Sequence, residues 1–249
     1  MEMNYIKFGS GDRTMVILPG LSLKPVCNDS EAVIGAYQLF ADEYTVYLFD
    51  QRSDVDEGYT LDDMVNDTVS KIKELGLKDI YLYGVSLGGM LSQAITINHP
   101  ELVKKLALTS TCSNFNKDNF VEWIELAKNN KVEDLVNCFC ELVYSETTYE
   151  AIKPTLKDYA SDVTEGQIHN FIIYAEAAAH GDVSDEISRI NIPVLVLGSK
   201  KDRIVSENDM LYLNEKITGS EIYLYDGYSH AVYDEAGDIK DRILNFFDK

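Results

Sequence analysis

The hydrophobic pattern divides the chain into short apolar runs that alternate with longer amphipathic stretches. Before residue 113 the apolar runs predict strands in the segments NYIKFG, RTMVILPG, YTVYLFDQR, DIYLYGVS and VKKLALTSTC. Between them, apolar residues recur at helical spacing in segments such as EAVIGAYQLFA, LDDMVNDTVSKIKELG and LGGMLSQAITINHP. Apolar strands that alternate with amphipathic helices are typical of a mostly parallel sheet with helices on both faces.

From residue 113 to residue 185 this alternation stops, and the pattern predicts helices almost throughout. The strand and helix pattern then resumes with IPVLVLGSKKD, SENDMLYLNEKI, SEIYLYDGYSH and IKDRILNFF. The simplest interpretation is one α/β core formed by residues 1–112 and 186–249, with a helical insertion at residues 113–185. Capping residues support two of the predicted helix starts, at Thr60 and at the pair Thr164 and Gln167.

Composition and charge narrow the class of protein further. The 249 residues carry a net charge of −20, so the basic surface that a nucleic-acid-binding protein needs is missing. No apolar run approaches the roughly 18 residues of a membrane span, and the N-terminus lacks the pattern of an export signal. The four cysteines lack C-x-x-C spacing, so we expect free thiols and a cytoplasmic protein. No metal-ligand cluster or cofactor motif is visible in the sequence, and we expect the protein to use neither a metal ion nor a cofactor.

The segment GVSLG suggests a nucleophile, because Ser86 follows a predicted strand and precedes a predicted helix. A serine on such a tight turn projects from the end of the sheet, and N–H groups at the start of the helix point towards developing negative charge. The strained backbone crowds the positions two before and two after the serine. Glycine at Gly84 and Gly88 relieves that crowding, as the G-x-S-x-G pattern requires.

A serine hydroxyl needs a base to take its proton, and His230 is the best candidate among four histidines. His99 lies at the far end of the helix after Ser86, and His169 and His180 lie in the insertion, where packing or exposure is expected. His230 follows a predicted strand and therefore lies on the same carboxyl-end edge of the sheet as Ser86.

The base needs an acid to orient it, and several carboxylates compete for that role. Asp202 follows the strand VLVLGS, whereas Asp226 lies only four residues before His230; Asp234 and Glu235 lie just after it. We prefer Asp202, since a separate strand end can approach the imidazole from the side away from the serine. Asp226 is then interpreted as a turn residue.

The order serine, acid, histidine, with each at a strand end, resembles the α/β-hydrolase superfamily over essentially the whole chain. The segment LPG resembles the oxyanion loop after the family's third strand, and FDQR resembles the turn after its fourth. Where many relatives have His-Gly in the oxyanion loop, this chain has Pro19-Gly20. The resemblance implies an α/β-hydrolase fold, with a mostly parallel central sheet, helices on both faces and a helical cap inserted after strand 6.

The same resemblance implies roles for five residues. Ser86 would be the nucleophile, Asp202 the acid and His230 the base, while the N–H groups of Leu21 and Leu87 would form the oxyanion hole. The implied activity is that of a serine hydrolase, and we favour a carboxylesterase on small or medium acyl esters. The implied partner is a small-molecule acyl substrate, without cofactor or metal. The oligomeric state stays open.

Other functions fit the same resemblance. An aminopeptidase of the proline iminopeptidase type would use acids in the insertion, for which Glu141, Glu146 and Glu176 are available. A thioesterase, a C–C bond hydrolase and a non-enzymatic ligand-binding receptor are further alternatives. Helical aromatic residues more often pack a core than line a pocket, and Lys24, after the oxyanion loop, is more often a solvated residue than an anion ligand. The insertion's aromatic candidates for an acyl pocket are Phe115, Phe120, Trp123, Phe139, Tyr144, Tyr149, Tyr159, Phe171 and Tyr174.

Overall fold

One twisted sheet forms the centre of the computed structural model, which describes residues 3–249. Its strands are β1 (Tyr5–Phe8), β2 (Arg13–Leu18), β3 (Tyr44–Phe49), β4 (Ile80–Val85), β5 (Val103–Thr109), β6 (Val194–Ser199) and β7 (Glu221–Tyr225). They lie in the order β1-β3-β2-β4-β5-β6-β7, with β1 antiparallel to β3 and all other neighbours parallel. The predicted mostly parallel sheet is therefore confirmed.

Helices cover both faces of this sheet, and five more, α4 to α8 in the list that follows, pack mainly on one another. They are α1 (Ser30–Tyr37), α2 (Leu61–Glu74), α3 (Leu87–Asn98), α4 (Asp118–Lys128), α5 (Val132–Val143), α6 (Glu146–Ile152), α7 (Leu156–Ser161), α8 (Glu165–His180), α9 (Glu207–Lys216), α10 (Val232–Glu235) and α11 (Ile239–Asp248). The predicted capping box forms at the start of α8 with Thr164 and Gln167, and the predicted cap Thr60 forms a capping box with Asp63 at the start of α2. Each satisfies N–H groups that the first helical turn leaves unpaired.

The central strand β4 is buried on both faces of the sheet. All six of its residues are buried. Leu82 packs into the larger apolar cluster with α2, α3 and the inserted helices, whereas its neighbours Tyr81 and Tyr83 pack into the cluster on the opposite face, with α11. Consecutive strand residues point to opposite faces, so a strand buried on both sides has to be apolar throughout.

The helices α4 to α8 lie between β5 and β6, in the segment where the strand pattern stops. Counted along residues 3–249, the loop that contains Pro19 and Gly20 follows the second strand, and the inserted helices follow the fifth. The expected insertion after strand 6 is therefore wrong by one strand, because the apolar runs before residue 113 form five strands within the described residues. Within the same residues, no helix combines the length and apolarity needed to cross a bilayer.

Candidate active site

Ser86 occupies the sharp turn between β4 and α3, with φ of 52° and ψ of −120°. A positive φ is unfavourable for a serine, so the surrounding structure has to hold it. A Cβ at Gly84 would lie 2.3 Å from Ser92 Oγ, and one at Gly88 would lie 2.1 Å from the carbonyl oxygen of Leu18. Glycine is thus required on both sides of the serine, for the steric reason that the sequence pattern suggested.

His230 and Asp202 complete a hydrogen-bonded chain with Ser86. His230 Nε2 lies 2.9 Å from Ser86 Oγ, and its Nδ1 lies 2.8 Å from Asp202 Oδ2. The other carboxylate oxygen of Asp202 accepts the N–H groups of Ile204 and Val205 at 2.8 and 2.9 Å. The side chains of His230 and Asp202 are 4% and 0% exposed. Such burial strengthens a hydrogen bond to a charged group and orients the imidazole.

The competing acids lie elsewhere. Asp226 pairs with Lys200 at 2.8 Å on the surface, and the hydrogen bond from Lys200 lowers the pKa of the Asp226 carboxyl below its usual value. Glu235 accepts hydrogen bonds from Ser145 and Thr148.

The other three histidines contact residues other than Ser86. His99 lies near Glu101, while ring nitrogens of His169 and His180 lie within hydrogen-bonding distance of the carbonyl oxygens of Val55 and Glu176. Of the four predicted candidates, the structure therefore brings only His230 to the serine.

Leu21 and Leu87, the two residues expected to donate N–H groups to a substrate oxygen, are found in the pocket at Ser86. Among residues 3–249, neither N–H donates a hydrogen bond to a protein acceptor, so both are free to bind a ligand oxygen. Gly20 lies directly against the serine, since an added Cβ would come within 3.0 Å of Ser86 Cβ. So close an approach of the loop favours glycine, because a Cβ here would be in tight contact with the serine.

The corner between α5 and α6 holds the loop that carries His230. Ser229 Oγ donates to the carbonyl oxygen of Leu142 at 2.8 Å. The N–H of Ala231 donates to the carbonyl oxygen of Val143, also at 2.8 Å. These two bonds flank His230 in sequence, so the inserted helices fix the backbone from which its imidazole projects.

The same corner contacts the loop of Asp202. The guanidinium of Arg203 donates to the carbonyl oxygens of Glu141 and Tyr144. The sequence analysis missed these contacts, since each joins segments more than fifty residues apart and no local pattern marks them.

Ser86 opens into a narrow pocket with a cavity volume of about 20 Å³. Five of its twelve lining residues are phenylalanine, tryptophan or tyrosine. Neighbouring ring centroids lie 5.7 Å apart for Phe115 and Phe120, 5.6 Å for Phe120 and Trp123, and 4.9 Å for Trp123 and Phe139. The full lining is Gly20, Leu21, Ser86, Leu87, Phe115, Phe120, Trp123, Phe139, Val143, Ile204, His230 and Tyr233. Four of the nine aromatic candidates therefore line the pocket, and Tyr233 joins them from outside the insertion.

The charged candidates lie outside this pocket. Glu141 and Glu146 are exposed, and Glu176 pairs with Lys128 at 2.8 Å. Lys24 lies with its ammonium 4.1 Å above the ring of Tyr159 and 3.9 Å from the carboxylate of Asp162. Apart from His230, the residues that line the pocket carry no ionisable group except the phenol of Tyr233.

Comparison with known proteins agrees with this architecture. The family model described as serine aminopeptidase, S33, matches residues 34–237. The chain belongs to this family of α/β hydrolases. A curated relative of this α/β hydrolase is 3-oxoadipate enol-lactonase 2 of Acinetobacter baylyi, which is 24% identical over 230 residues, covering 89% of this chain and 84% of the relative.

Solved structures confirm the fold of this α/β hydrolase. MGS-M2, an alpha/beta hydrolase enzyme from a Medee basin deep-sea metagenome library, superposes with a TM-score of 0.89 at 20% identity, covering 99% of this chain and 94% of the other. The enol-lactonase from Burkholderia xenovorans LB400 superposes with a TM-score of 0.87 at 16% identity, covering 99% and 96%. At these identities the likeness carries the fold alone.

Proposed function

We propose that this α/β hydrolase is a serine hydrolase that cleaves small or medium carboxylic esters through an acyl-enzyme intermediate. The observation that carries the proposal is the continuous hydrogen-bonded chain from Ser86 through His230 to Asp202. An alcohol within 2.9 Å of an imidazole, itself oriented by a buried carboxylate, is the arrangement that activates a serine as a nucleophile.

The reaction then follows from the geometry. His230 Nε2 takes the proton of Ser86 as Oγ attacks the ester carbonyl carbon, and the carbonyl oxygen gains negative charge. The free N–H groups of Leu21 and Leu87 stabilise that oxygen; the loss of one such donor typically costs about 3 kcal/mol of transition-state stabilisation. His230 next protonates the leaving alcohol, and the acyl group remains on Ser86.

The second half repeats the first with water in place of the serine. His230 takes a proton from a water molecule, whose oxygen attacks the acyl carbon. Collapse of the second tetrahedral intermediate returns the proton to Ser86 Oγ and releases a carboxylic acid. Asp202 stabilises the imidazolium that forms in each half.

The pocket wall supports an uncharged, apolar acyl group. Burial of an apolar acyl chain against aromatic rings is favourable, whereas a charged acyl group would lose its hydration without gaining an ion pair. No lysine, arginine, aspartate or glutamate belongs to the described lining. The same absence argues against an aminopeptidase, because the substrate's ammonium would need a carboxylate there.

We also propose that residues 113–185 act as a cap over a core formed by residues 1–112 and 186–249. The support is the pocket lining, to which the insertion contributes Phe115, Phe120, Trp123, Phe139 and Val143. Since these side chains line the pocket at Ser86, their shapes determine which acyl groups fit.

The proposal is tested by measuring turnover of p-nitrophenyl esters of graded acyl length. Amino-acid p-nitroanilides test the peptidase alternative, a thioester tests the thioesterase, and a ligand-binding assay tests the receptor. We expect turnover of neutral short and medium esters, negligible anilide turnover and covalent labelling of Ser86 by a fluorophosphonate. Ser86→Ala should abolish both turnover and labelling while the protein still folds. Ser161→Ala is the matched control, because Ser161 lies on exposed α7 with its hydroxyl on the carbonyl oxygen of Asp158.

Different outcomes would contradict different parts of the proposal. Efficient anilide turnover would replace the esterase with a peptidase. A folded protein that neither labels nor turns over any acyl substrate, yet binds ligands, would favour a receptor. Equal turnover in wild type and Ser86→Ala would show that Ser86 is not the nucleophile.

A further inference from the structure

One peptide group of the oxyanion loop has both of its polar ends in defined positions. The peptide that joins Gly20 to Leu21 carries the Leu21 N–H on one side and the Gly20 carbonyl on the other. The Leu21 residue lines the Ser86 pocket, and its N–H has no protein acceptor among the described residues. The Gly20 carbonyl oxygen accepts a hydrogen bond from Gln51 Nε2 at 3.4 Å.

A hydrogen bond to Asp50 holds the backbone of Gln51, two residues after the end of β3. The Gln51 N–H donates to Asp50 Oδ1 at 3.1 Å, and the same carboxylate accepts the N–H groups of Val26 and Cys27 at 3.2 and 3.1 Å. Asp50 is only 5% exposed. The buried carboxylate of Asp50 therefore joins two segments. One is Val26 and Cys27, which follow the oxyanion loop, and the other is Gln51, whose side-chain amide donates back to that loop.

We propose that Gln51 is a positioning residue for the oxyanion hole; this inference rests on the proposed function. A peptide is planar, so a donor that fixes the Gly20 carbonyl also fixes the direction of the Leu21 N–H on the opposite side. The hydrogen bond also polarises the peptide and makes its N–H a stronger donor. Gln51 thus orients the loop that carries Pro19-Gly20, without contacting substrate.

The test uses Gln51→Met, which keeps side-chain length but removes the donor, and Gln51→Glu, which sets an acceptor against the Gly20 carbonyl. Loss of one hydrogen bond of this kind should lower kcat roughly three- to tenfold in Gln51→Met. The decrease should be larger in Gln51→Glu, and KM should stay within about twofold of wild type in both variants. The matched control is Gln38→Met, since Gln38 is exposed at the end of α1 and should keep wild-type kinetics.

A second measurement separates positioning from a merely structural effect. An alkylboronic acid forms a tetrahedral, negatively charged adduct with an active serine, so its affinity reports the oxyanion hole without turnover. Trp123 is the single tryptophan and lines the pocket, so its fluorescence reports binding. We expect the affinity for the boronic acid to fall by the same factor as kcat, with an unchanged denaturation midpoint.

The outcomes distinguish this inference from the proposed function. If wild type hydrolyses esters but both Gln51 variants keep wild-type kcat and boronic acid affinity, the role of Gln51 is overturned while the esterase stands. If only the denaturation midpoint or KM changes, Gln51 is structural and the positioning role is again overturned. If wild type neither hydrolyses esters nor forms the boronate adduct, the proposed function fails, and this inference fails with it.

Discussion

The carboxylate of Asp202 lies 2.8 Å from His230 Nδ1, although 28 residues separate the two along the chain. Asp226 is only four residues from His230, yet its carboxylate pairs with Lys200 on the surface. The difference follows from the sheet, since β6 and β7 are parallel neighbours whose carboxyl ends lie side by side. An acid at the end of the neighbouring strand reaches the imidazole, whereas an acid on the histidine's own loop faces outward.

This arrangement predicts opposite results for two similar substitutions. Asp202→Asn should lower kcat on esters by about a thousandfold or more, because an amide cannot stabilise the imidazolium and favours the wrong tautomer of His230. Asp226→Asn removes only an exposed partner of Lys200 and should change kcat less than twofold. Steady-state kinetics of both variants on one p-nitrophenyl ester provide the comparison. The reverse ranking would identify Asp226 as the acid.

The glycines around Ser86 predict a stability effect. In Gly88→Ala the new Cβ would meet the carbonyl oxygens of Leu18 and Pro19 at 2.1 and 2.4 Å, and backbone cannot move aside as a flexible side chain can. We expect the free energy of unfolding to fall by roughly 3 kcal/mol or more. Chemical denaturation measures this change.

A matched control tests whether the effect belongs to the turn. A Cβ at Gly166, on the first turn of α8, would have no heavy atom within 4 Å. Gly166→Ala should therefore keep or raise the stability, by up to about 1 kcal/mol, because alanine favours a helix. Equal destabilisation by both substitutions would refute the steric argument.

The sequence was sufficient to predict the parts of the fold and candidate site that depend on local patterns. Alternating apolar strands and amphipathic helices indicated the parallel sheet, and the predicted cap at Thr60 and capping box at Thr164 and Gln167 both form. Ser86, Asp202 and His230 could be predicted to meet because the carboxyl ends of parallel strands share one edge of the sheet. Their proximity is thus a consequence of topology more than of any single motif.

Contacts between distant side chains could not be predicted in this way. Helical spacing marks the apolar faces of the insertion, but the face that turns towards Ser86 depends on packing between helices. Phe139 therefore lines the pocket, while Phe171, 6.1 Å from it between ring centroids, packs behind it. Tyr233 lines the pocket from α10, where no spacing distinguished it from a core residue.

Glu235 provides a third prediction, because it connects the inserted helices to the helix that follows His230. Its carboxylate accepts the N–H of Ser145 at 3.2 Å and the hydroxyls of Ser145 and Thr148 at the start of α6. Tyr233, on the same short helix, packs edge-on to the His230 ring with centroids 6.3 Å apart. Loss of this anchor should loosen the imidazole.

We therefore expect Glu235→Ala to lower kcat roughly tenfold with little change in KM, since a misplaced base weakens the transition state more than substrate binding. Glu235→Asp, which keeps the charge, should recover part of the loss. The control is Glu176→Gln, which breaks the exposed ion pair with Lys128 on the far helices of the insertion and should leave kcat unchanged. A wild-type kcat in Glu235→Ala would contradict the anchoring role.

The cysteines give a prediction about pH. Burial raises the pKa of the Cys140 thiol to about 11 and that of Cys27 to about 12, and it raises the pKa values of Cys112 and Cys138 as well. Because the thiolate is the reactive form, a pKa above the usual value of about 8.5 leaves these groups protonated, and unreactive, at neutral pH. Their alkylation should accelerate about tenfold for each unit by which the pH rises towards the pKa.

Iodoacetamide at pH 7.5 should therefore leave the native protein largely unmodified and its ester hydrolysis intact. Intact-mass spectrometry follows the modification while activity is assayed on the same samples. In denaturant the burial is removed, so all four cysteines should react quickly and add four carbamidomethyl groups. Rapid modification of the native protein, for example a single adduct at Cys140 next to the pocket-lining Phe139, would contradict the prediction that burial keeps these thiols unreactive.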